Sequence, residues 1–285
     1  MIIYGLLGYP LRYSLSPVIH QAAYRALGLE VAYLLWPTAP EGLAEQVEAL
    51  RQQCDLGGFN VTVPHKTTII PLLDGVAPSA QAINAVNTVV RDGQRLIGHN
   101  TDLSGFQASL AEAGVPVAGQ VALVLGAGGA ARSVCYVLLE LGAKRLYLAN
   151  RTIDKAEQLM EELSAGETKR ARRGRLQVVS PSGLRGLTPD ITLVINCTSC
   201  QDPWPAFGLT AEDFWSKGQG WAVDLAYGRM LAGFLPAAKE RGWRTLSGEG
   251  MLLWQAAHAF ELWTGESAPV EIMRLAMANE LAGRS

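Results

Sequence analysis

Ser14 and Ser16 alternate across Leu15 just ahead of a predicted helix, so both hydroxyls can face the same way beside a helix N-terminus, an arrangement that suits a carboxylate. In Asn60-Val-Thr62-Val-Pro64-His-Lys66 a strand is expected to give way to a helix with Lys66 in its first turn, where an ammonium opposes the helix dipole and releases a proton more readily. His65 is expected to pack or cap locally. Asp102 follows Asn100-Thr101 at the start of another predicted helix, where an N-cap role also fits it. Asn84 and Asn87 border a predicted strand. Gln255 shares an apolar helical stripe with Leu252, Ala256, Ala259 and Phe260, and an amide on that face must find a partner. Asn60, Thr62, Asn87 and Gln255 are uncharged hydrogen-bonding groups, a set that fits a polyhydroxylated ring better than an apolar ligand.

A second group of residues is built for phosphate. Val121–Leu125 runs into Gly126-Ala127-Gly128-Gly129-Ala130-Ala131, a G-x-G-x-x-A between a predicted strand and a predicted helix. The glycines let the backbone approach a pyrophosphate, and the helix N-terminus offers free N–H groups and partial positive charge. In such units an acid at the end of the next strand holds both ribose hydroxyls and selects NAD. Here that strand ends Asn150-Arg151-Thr152, with Lys155 one turn further on, which offers cations and donors to a 2′-phosphate. NADP is the expected cofactor.

The elements that must position these groups follow from periodicity. Strands are expected at Ile2–Leu7, Val31–Trp36 and Gly58–Val63, with a helix from Ser16 towards Leu27 that has Ser16 as N-cap and Pro17 in its first position. Asn87–Arg91 and Arg95–Gly98 flank Asp92-Gly93, a hairpin signal. From Asp102 a second alternation begins, with helices to Ala113, to Leu141 and over Ile153–Leu163. Its strands are expected at Val121–Leu125, Arg145–Asn150, Val178, Ile191–Asn196 and Trp221–Asp224. Helices at Glu249–Thr264 and Pro269–Leu281 are expected to return to the first domain. The fold class is therefore α/β, with an N-terminal substrate domain (1–101 and 243–285) and a doubly wound Rossmann-like NADP domain (102–242).

Composition narrows the class further. At 285 residues the chain has room for two domains of roughly 150 residues, and 49% hydrophobic against 18% charged residues excludes a disordered chain and a disulfide-stapled miniprotein. The longest charge-free stretch, Ala113–Ala131, holds Pro116 and five glycines and is no membrane span. The N-terminus has no basic leader and no cleavage site, so a cytoplasmic location is expected. A net charge of −2 provides no general field for nucleic acid. The basic cluster Lys169, Arg170, Arg172, Arg173 and Arg175 reads as a solvated loop. Cys197 and Cys200 form a C-x-x-C, but Cys54 and Cys135 stand apart and the further ligands of a structural zinc are missing, so the thiols are expected to pack and no metal is expected.

Several separated motifs occur in a telling order. Gly8-Tyr-Pro10, Ser14-Leu-Ser16-Pro17 with His20, Asn60-Val-Thr62-Val-Pro64-His-Lys66 and Asn87-Thr88 come first. Asn100-Thr101-Asp102, the Gly126 turn, Asn150-Arg151-Thr152 and Gln255-Ala256 follow. With these residues the chain resembles the shikimate dehydrogenase (shikimate/quinate dehydrogenase) family over nearly its whole length. The resemblance implies NADPH-dependent, reversible reduction of 3-dehydroshikimate to shikimate on the route to chorismate and the aromatic amino acids. It implies Ser14 and Ser16 at the substrate carboxylate with Tyr227 nearby, Thr62, Asn87, Asp102 and Gln255 at ring hydroxyls, and Lys66 with Asp102 in catalysis. The implied cofactor set runs from Gly126 to Ala130 and over Asn150, Arg151, Thr152 and Lys155 to Thr198 and Gly248. A monomer or homodimer is expected, with a small-molecule substrate and no nucleic-acid or membrane partner.

The chain departs from the family pattern at three places. Gln21 stands where an Asn often follows the His. Asn196-Cys-Thr198-Ser-Cys200-Gln201 lacks the glycine usual soon afterwards, and Gly228-Arg229-Met230-Leu231 lacks the usual Pro and Thr after Tyr227. Two other readings stand beside the first. One is a quinate/shikimate dehydrogenase of relaxed specificity, disfavoured by Asn150 and the Ser14/Ser16 pair. The other is a ligand-sensing homologue without turnover, which intact Lys66 and Asp102 argue against.

Overall fold

The computed structural model describes residues 1–164, 175–187, 190–215, 220–228 and 233–284. Lys169, Arg170, Arg172 and Arg173 of the basic cluster and Arg229, Met230 and Leu231 lie outside the described residues. The chain divides into two compact units, Met1–Gly105 with Leu252–Ser285, and Phe106–Met251.

The first unit is built on a six-stranded sheet in the order β2-β1-β3-β5-β6-β4, with β1 (Ile2–Gly8), β2 (Val31–Pro37), β3 (Gly58–Val61), β4 (Gly75–Val76), β5 (Thr88–Asp92) and β6 (Arg95–His99). β1 pairs in parallel with β2 and β3, whereas β5 runs antiparallel to β3 and β6. Leu7, Phe59, Val61 and Val89 carry the sheet's core contacts. The hairpin joining β5 to β6 turns at Gly93, whose φ of +60° is the left-handed conformation a two-residue turn demands. Helices α1 (Ser16–Ala26), α2 (Leu43–Gln52) and α3 (Pro78–Ile83) belong to this unit, and α1 packs on the C-terminal helix Val270–Arg284.

Two local expectations are corrected. Ser16, expected as the N-cap of α1, is its first residue; Leu15 occupies the cap, because Ser14 Oγ accepts the Ser16 N–H at 3.2 Å and closes a turn one step earlier. No helix starts at Lys66. Residues 66–69 form turns followed by a short 3₁₀ segment, Ile70–Leu72. Thr67, Thr68, Ile69 and Ile70 are all β-branched and Pro71 cannot donate, so a regular helix gains little here.

The second unit holds an all-parallel sheet ordered β12-β11-β10-β7-β8-β9: β7 (Val121–Leu125), β8 (Arg145–Ala149), β9 (Leu176–Val179), β10 (Leu193–Asn196), β11 (Trp221–Asp224) and β12 (Arg244–Ser247). Numbered within the unit this is 3-2-1-4-5-6, the doubly wound order whose strand ends face a ligand crevice. The strands read as apolar runs because both faces are covered. Helices α4 (Thr101–Glu112), α5 (Gly129–Glu140) and α6 (Ile153–Ser164) follow β6, β7 and β8 in the chain. Arg244–Ser247, assigned by sequence to the first domain, pairs with β11 instead. Trp243 beside it packs in this unit's core with Trp204, Phe214, Trp215 and Phe234, where the Trp204 and Phe214 rings stack at 4.0 Å. Among the described residues no helix is long and apolar enough to cross a membrane.

Candidate active site

Asn100, one residue before α4, accepts the Leu103 N–H on its side-chain oxygen at 3.2 Å and so caps the helix. Asp102 is thereby released from the capping role that its position also suited. Its carboxylate accepts from Lys66 Nζ at 2.6 Å through Oδ2 and from Asn87 Nδ2 at 2.8 Å through Oδ1. The side chains of Lys66 and Asp102 are only 14% and 6% exposed, so their attraction is screened far less than that of a surface pair. The turn that carries Lys66 is pinned where its carbonyl accepts the Val86 N–H at 2.7 Å.

Behind the pair lies a saturated polar network. Asn87 Nδ2 also donates to Thr101 Oγ1 at 3.0 Å, while its Oδ1 accepts the Thr101 N–H at 2.7 Å and the Thr88 hydroxyl at 3.1 Å. Asn60 Nδ2 donates to Thr88 Oγ1 at 3.0 Å and to the Asn87 carbonyl at 3.2 Å, and its Oδ1 accepts from Tyr33 Oη at 2.7 Å. Both amide hydrogens of each asparagine are therefore spent inside the protein. Asn60 and Asn87 act first as the frame that holds Asp102. Tyr33 stays a donor, since burial raises its pKa, and Ser16 hydrogen-bonds to it. The Tyr33 ring stacks on His20 at 4.5 Å. His20 is fully buried, neither ring nitrogen has a partner among the described residues, and burial pushes its pKa down to about 3, so the ring is neutral.

The other sequence-predicted groups of this unit have local partners of their own. Ser14 Oγ serves as an acceptor in its turn and keeps its own hydrogen for another partner. Leu15 supplies no capping side chain, but Ser14 Oγ holds the Ser16 N–H and Pro17 has none, so the first turn of α1 keeps only the Val18 N–H for an anion. The Thr62 methyl lies against Gly8, where a Cβ would collide with it. Gln255 donates to the Leu252 carbonyl at 2.9 Å. Its backbone is reached by Gly105, one turn after Asp102 on α4; a Cβ at Gly105 would stand 2.7 Å from the Gln255 nitrogen, so only glycine lets these helices approach so closely. Asn84 adopts φ +51° as the left-handed cap of α3. His65 is buried with Nε2 2.7 Å from the Thr38 carbonyl, a packing role.

The second unit carries a cavity of about 390 Å³ at the ends of β7, β8 and β10. It brings together Gly126, Ala127, Gly128, Asn150, Arg151, Thr152, Lys155 and Thr198, together with Cys197 and Cys200 of the C-x-x-C. Gly126 takes φ +103° and donates to the Ala149 carbonyl at 2.8 Å. A Cβ at Gly128 would meet nothing within 4 Å, and no side chain caps α5, so the backbone and the first N–H groups of that helix are open. Asn150 Nδ2 donates to the Thr152 carbonyl at 2.7 Å and so shapes the turn carrying Arg151. A glycine turn, an uncapped helix N-terminus and two cations at the second strand end fit a dinucleotide with a 2′-phosphate. Gly129 and Ala130 open α5 and do not line the cavity, nor does Gly248, which donates to the Ala226 carbonyl at 3.0 Å and packs where any Cβ would strike the Leu225 carbonyl. Tyr227 follows β11 and also lies outside that lining. Among the described residues no cluster of three or more His, Cys, Asp or Glu is placed to hold a metal ion.

Sequence reasoning did not anticipate Tyr33, which fixes the Asn60 amide. It noted Asn196 only as part of the 196–201 segment and passed over Asp224. A polar residue closing an apolar strand was the one available signal for both.

The doubly wound sheet with its glycine turn defines a dinucleotide-binding class of α/β protein, here joined to a unit carrying a framed Lys–Asp pair. Residues 6–89 match the shikimate dehydrogenase substrate binding domain, residues 109–203 the shikimate/quinate 5-dehydrogenase family, and residues 248–277 the shikimate 5′-dehydrogenase C-terminal domain. The chain belongs to the shikimate/quinate dehydrogenase family. It is 44% identical over 271 residues to the shikimate dehydrogenase (NADP(+)) of Moorella thermoacetica, covering 94% of this chain and 90% of that protein. It is 42% identical over 274 residues to that of Carboxydothermus hydrogenoformans, covering 96% and 95%. Among solved structures it is similar to the shikimate 5-dehydrogenase of Thermus thermophilus in complex with NADP(H) and shikimate, with a TM-score of 0.83, 38% identity and coverage of 98% and 99%.

Proposed function

We propose that the chain catalyses the reversible, NADPH-dependent reduction of 3-dehydroshikimate to shikimate. The observation that carries this reading is the framed Lys66–Asp102 pair, 2.6 Å apart and little exposed. When bound, NADPH supplies a hydride to the ring carbonyl carbon. Lys66 donates a proton to the carbonyl oxygen from one of the ammonium hydrogens it does not spend on Asp102, and in the reverse direction takes it back from the hydroxyl. Asp102 keeps the ammonium aimed and accepts from a substrate hydroxyl. Ser14, with its hydrogen uncommitted, and Ser16 take the carboxylate, Tyr227 is assigned to the same group, and Thr62 and Gln255 meet ring hydroxyls. Asn60 offers only the second lone pair of its Oδ1, and Asn87 serves the substrate through the Asp102 carboxylate that it holds.

Gly126–Ala130, Asn150, Thr152, Thr198 and Gly248 form the cofactor set, with Arg151 and Lys155 facing the 2′-phosphate. The N-terminal domain with the C-terminal helices binds substrate and the intervening domain binds NADP. A cytoplasmic monomer or homodimer with no nucleic-acid or membrane partner completes the reading, supported by the net charge of −2. An absorbance assay at 340 nm with shikimate and NADP+ tests it, with quinate and NAD+ in parallel arms. Oxidation of shikimate with formation of NADPH, a rise at 340 nm, is expected; no absorbance change with folded protein contradicts the reading, and equal rates with quinate point to relaxed specificity.

A further inference from the structure

Asp224, the last residue of β11, is fully buried in a strand otherwise made of Trp221, Ala222 and Val223. Burial pushes its pKa up to about 6, and Oδ2 has no hydrogen-bond partner among the described residues. So costly a group at a strand end needs an offsetting role. Its other oxygen provides one. Oδ1 accepts the Ala226 N–H at 3.0 Å and Asn196 Nδ2 at 3.3 Å.

Each contact leads into a loop. Asn196 Nδ2 also donates to the Cys200 carbonyl at 3.1 Å, and Asn196 Oδ1 accepts the N–H and the hydroxyl of Thr198 at 3.0 and 2.7 Å. One side chain thus shapes the 197–200 segment, which lines the cofactor cavity. On the other side, the Ala226 carbonyl accepts the Gly248 N–H at 3.0 Å, and Tyr227 comes next in the chain. β10, β11 and β12 are neighbours in the sheet, so a single oxygen between their ends sets the loops carrying Thr198, Tyr227 and Gly248. We propose that Asp224 is a positioning residue for the cofactor site: through Asn196 it holds the 197–200 segment in the shape that receives the dinucleotide, and through Ala226 it ties that segment to the end of β11. The inference rests on the reading of that cavity as the NADP site. It also explains how the 197–200 segment keeps a defined form without the glycine usual to the family, since Asn196 and Asp224 supply the bonds.

The test compares Asp224→Val with Asp224→Asn by fluorescence titration of NADPH, with melting temperature measured alongside. Valine suits a strand and has no polar atom, so it takes the shared acceptor away from one Asn196 Nδ2 hydrogen and from the Ala226 N–H, whereas asparagine keeps an oxygen in place of Oδ1. Asp224→Val is expected to weaken NADPH binding at least about 10-fold, the scale of one lost buried hydrogen bond, while Asp224→Asn stays within about 3-fold of wild type. A folded Asp224→Val that binds NADPH like wild type, or an Asp224→Asn that binds as weakly as Asp224→Val, overturns the proposal. Should Asp224→Val not fold, Asn196→Ser cuts the same bond from β10, and wild-type affinity in that variant overturns it equally. A wild-type chain that does not bind NADPH contradicts the cofactor reading, which separates that failure from this one.

Discussion

Asp102 is gripped from two sides, by Lys66 Nζ at 2.6 Å on one oxygen and by Asn87 Nδ2 at 2.8 Å on the other. The asparagine fixes the carboxylate, and the carboxylate aims the ammonium. Precision at the reacting end is therefore set by a neutral amide bonded to Thr101 and Thr88.

Asn87→Ala removes that hold and leaves Asp102 Oδ1 and the Thr101 N–H without their partner. Loss of such buried bonds costs about 1–3 kcal/mol. The variant is expected to melt several degrees lower and to lose at least about 10-fold in kcat, because a loosened Asp102 no longer orients Lys66. Thermal melts and steady-state kinetics on the same preparation check both.

Arg151→Ala is expected to weaken NADP binding by about 10- to 150-fold, the value of a charge-assisted contact of about 1.5–3 kcal/mol, while NAD binding changes little. Titration of both cofactors reads the difference. Equal losses for both place the 2′-phosphate elsewhere.

His20, buried and without a hydrogen-bond partner among the described residues, predicts a pH dependence of stability. In the unfolded chain the imidazole takes a proton near pH 6.5, whereas in the folded protein burial holds it neutral down to about 3. As pH falls through 6.5 the unfolded state alone gains a proton, so stability declines, by about 2 kcal/mol at pH 5 from this group. His20→Phe keeps a ring on Tyr33 and removes the proton site. Its stability relative to wild type is expected to rise between pH 7 and pH 5, as read from denaturant midpoints; a constant difference contradicts the assignment.

The parts legible in the sequence were those written over a short stretch. β7, the Gly126 turn and α5 follow one another without interruption, so period and glycines located them together. The network around Asp102 is spread instead over Tyr33, Asn60, Asn87, Thr88 and Thr101, and no local pattern reveals which amide hydrogens are already spent. Asn60 and Asn87 therefore read as groups free to meet a ligand, whereas each is committed to the frame. The expected helix at Lys66 failed for a reason that was present in the sequence: the β-branched run from Thr67 to Ile70 ahead of Pro71. β12 was missed because Arg244–Ser247 is short and half-buried, and becomes a strand only through pairing with β11.

The most direct measurement is the kinetics of Lys66→Ala. Negative charge grows on the carbonyl oxygen only as hydride arrives, so an ammonium beside it acts chiefly in the transition state. The variant is expected to lose at least about 100-fold in kcat, the lower end of general acid catalysis, while shikimate affinity, carried by Ser14, Ser16 and Gln255, changes far less. A Lys66→Ala enzyme with near-normal kcat and only a raised KM contradicts the account, since Lys66 would then hold the substrate and another group would move the proton.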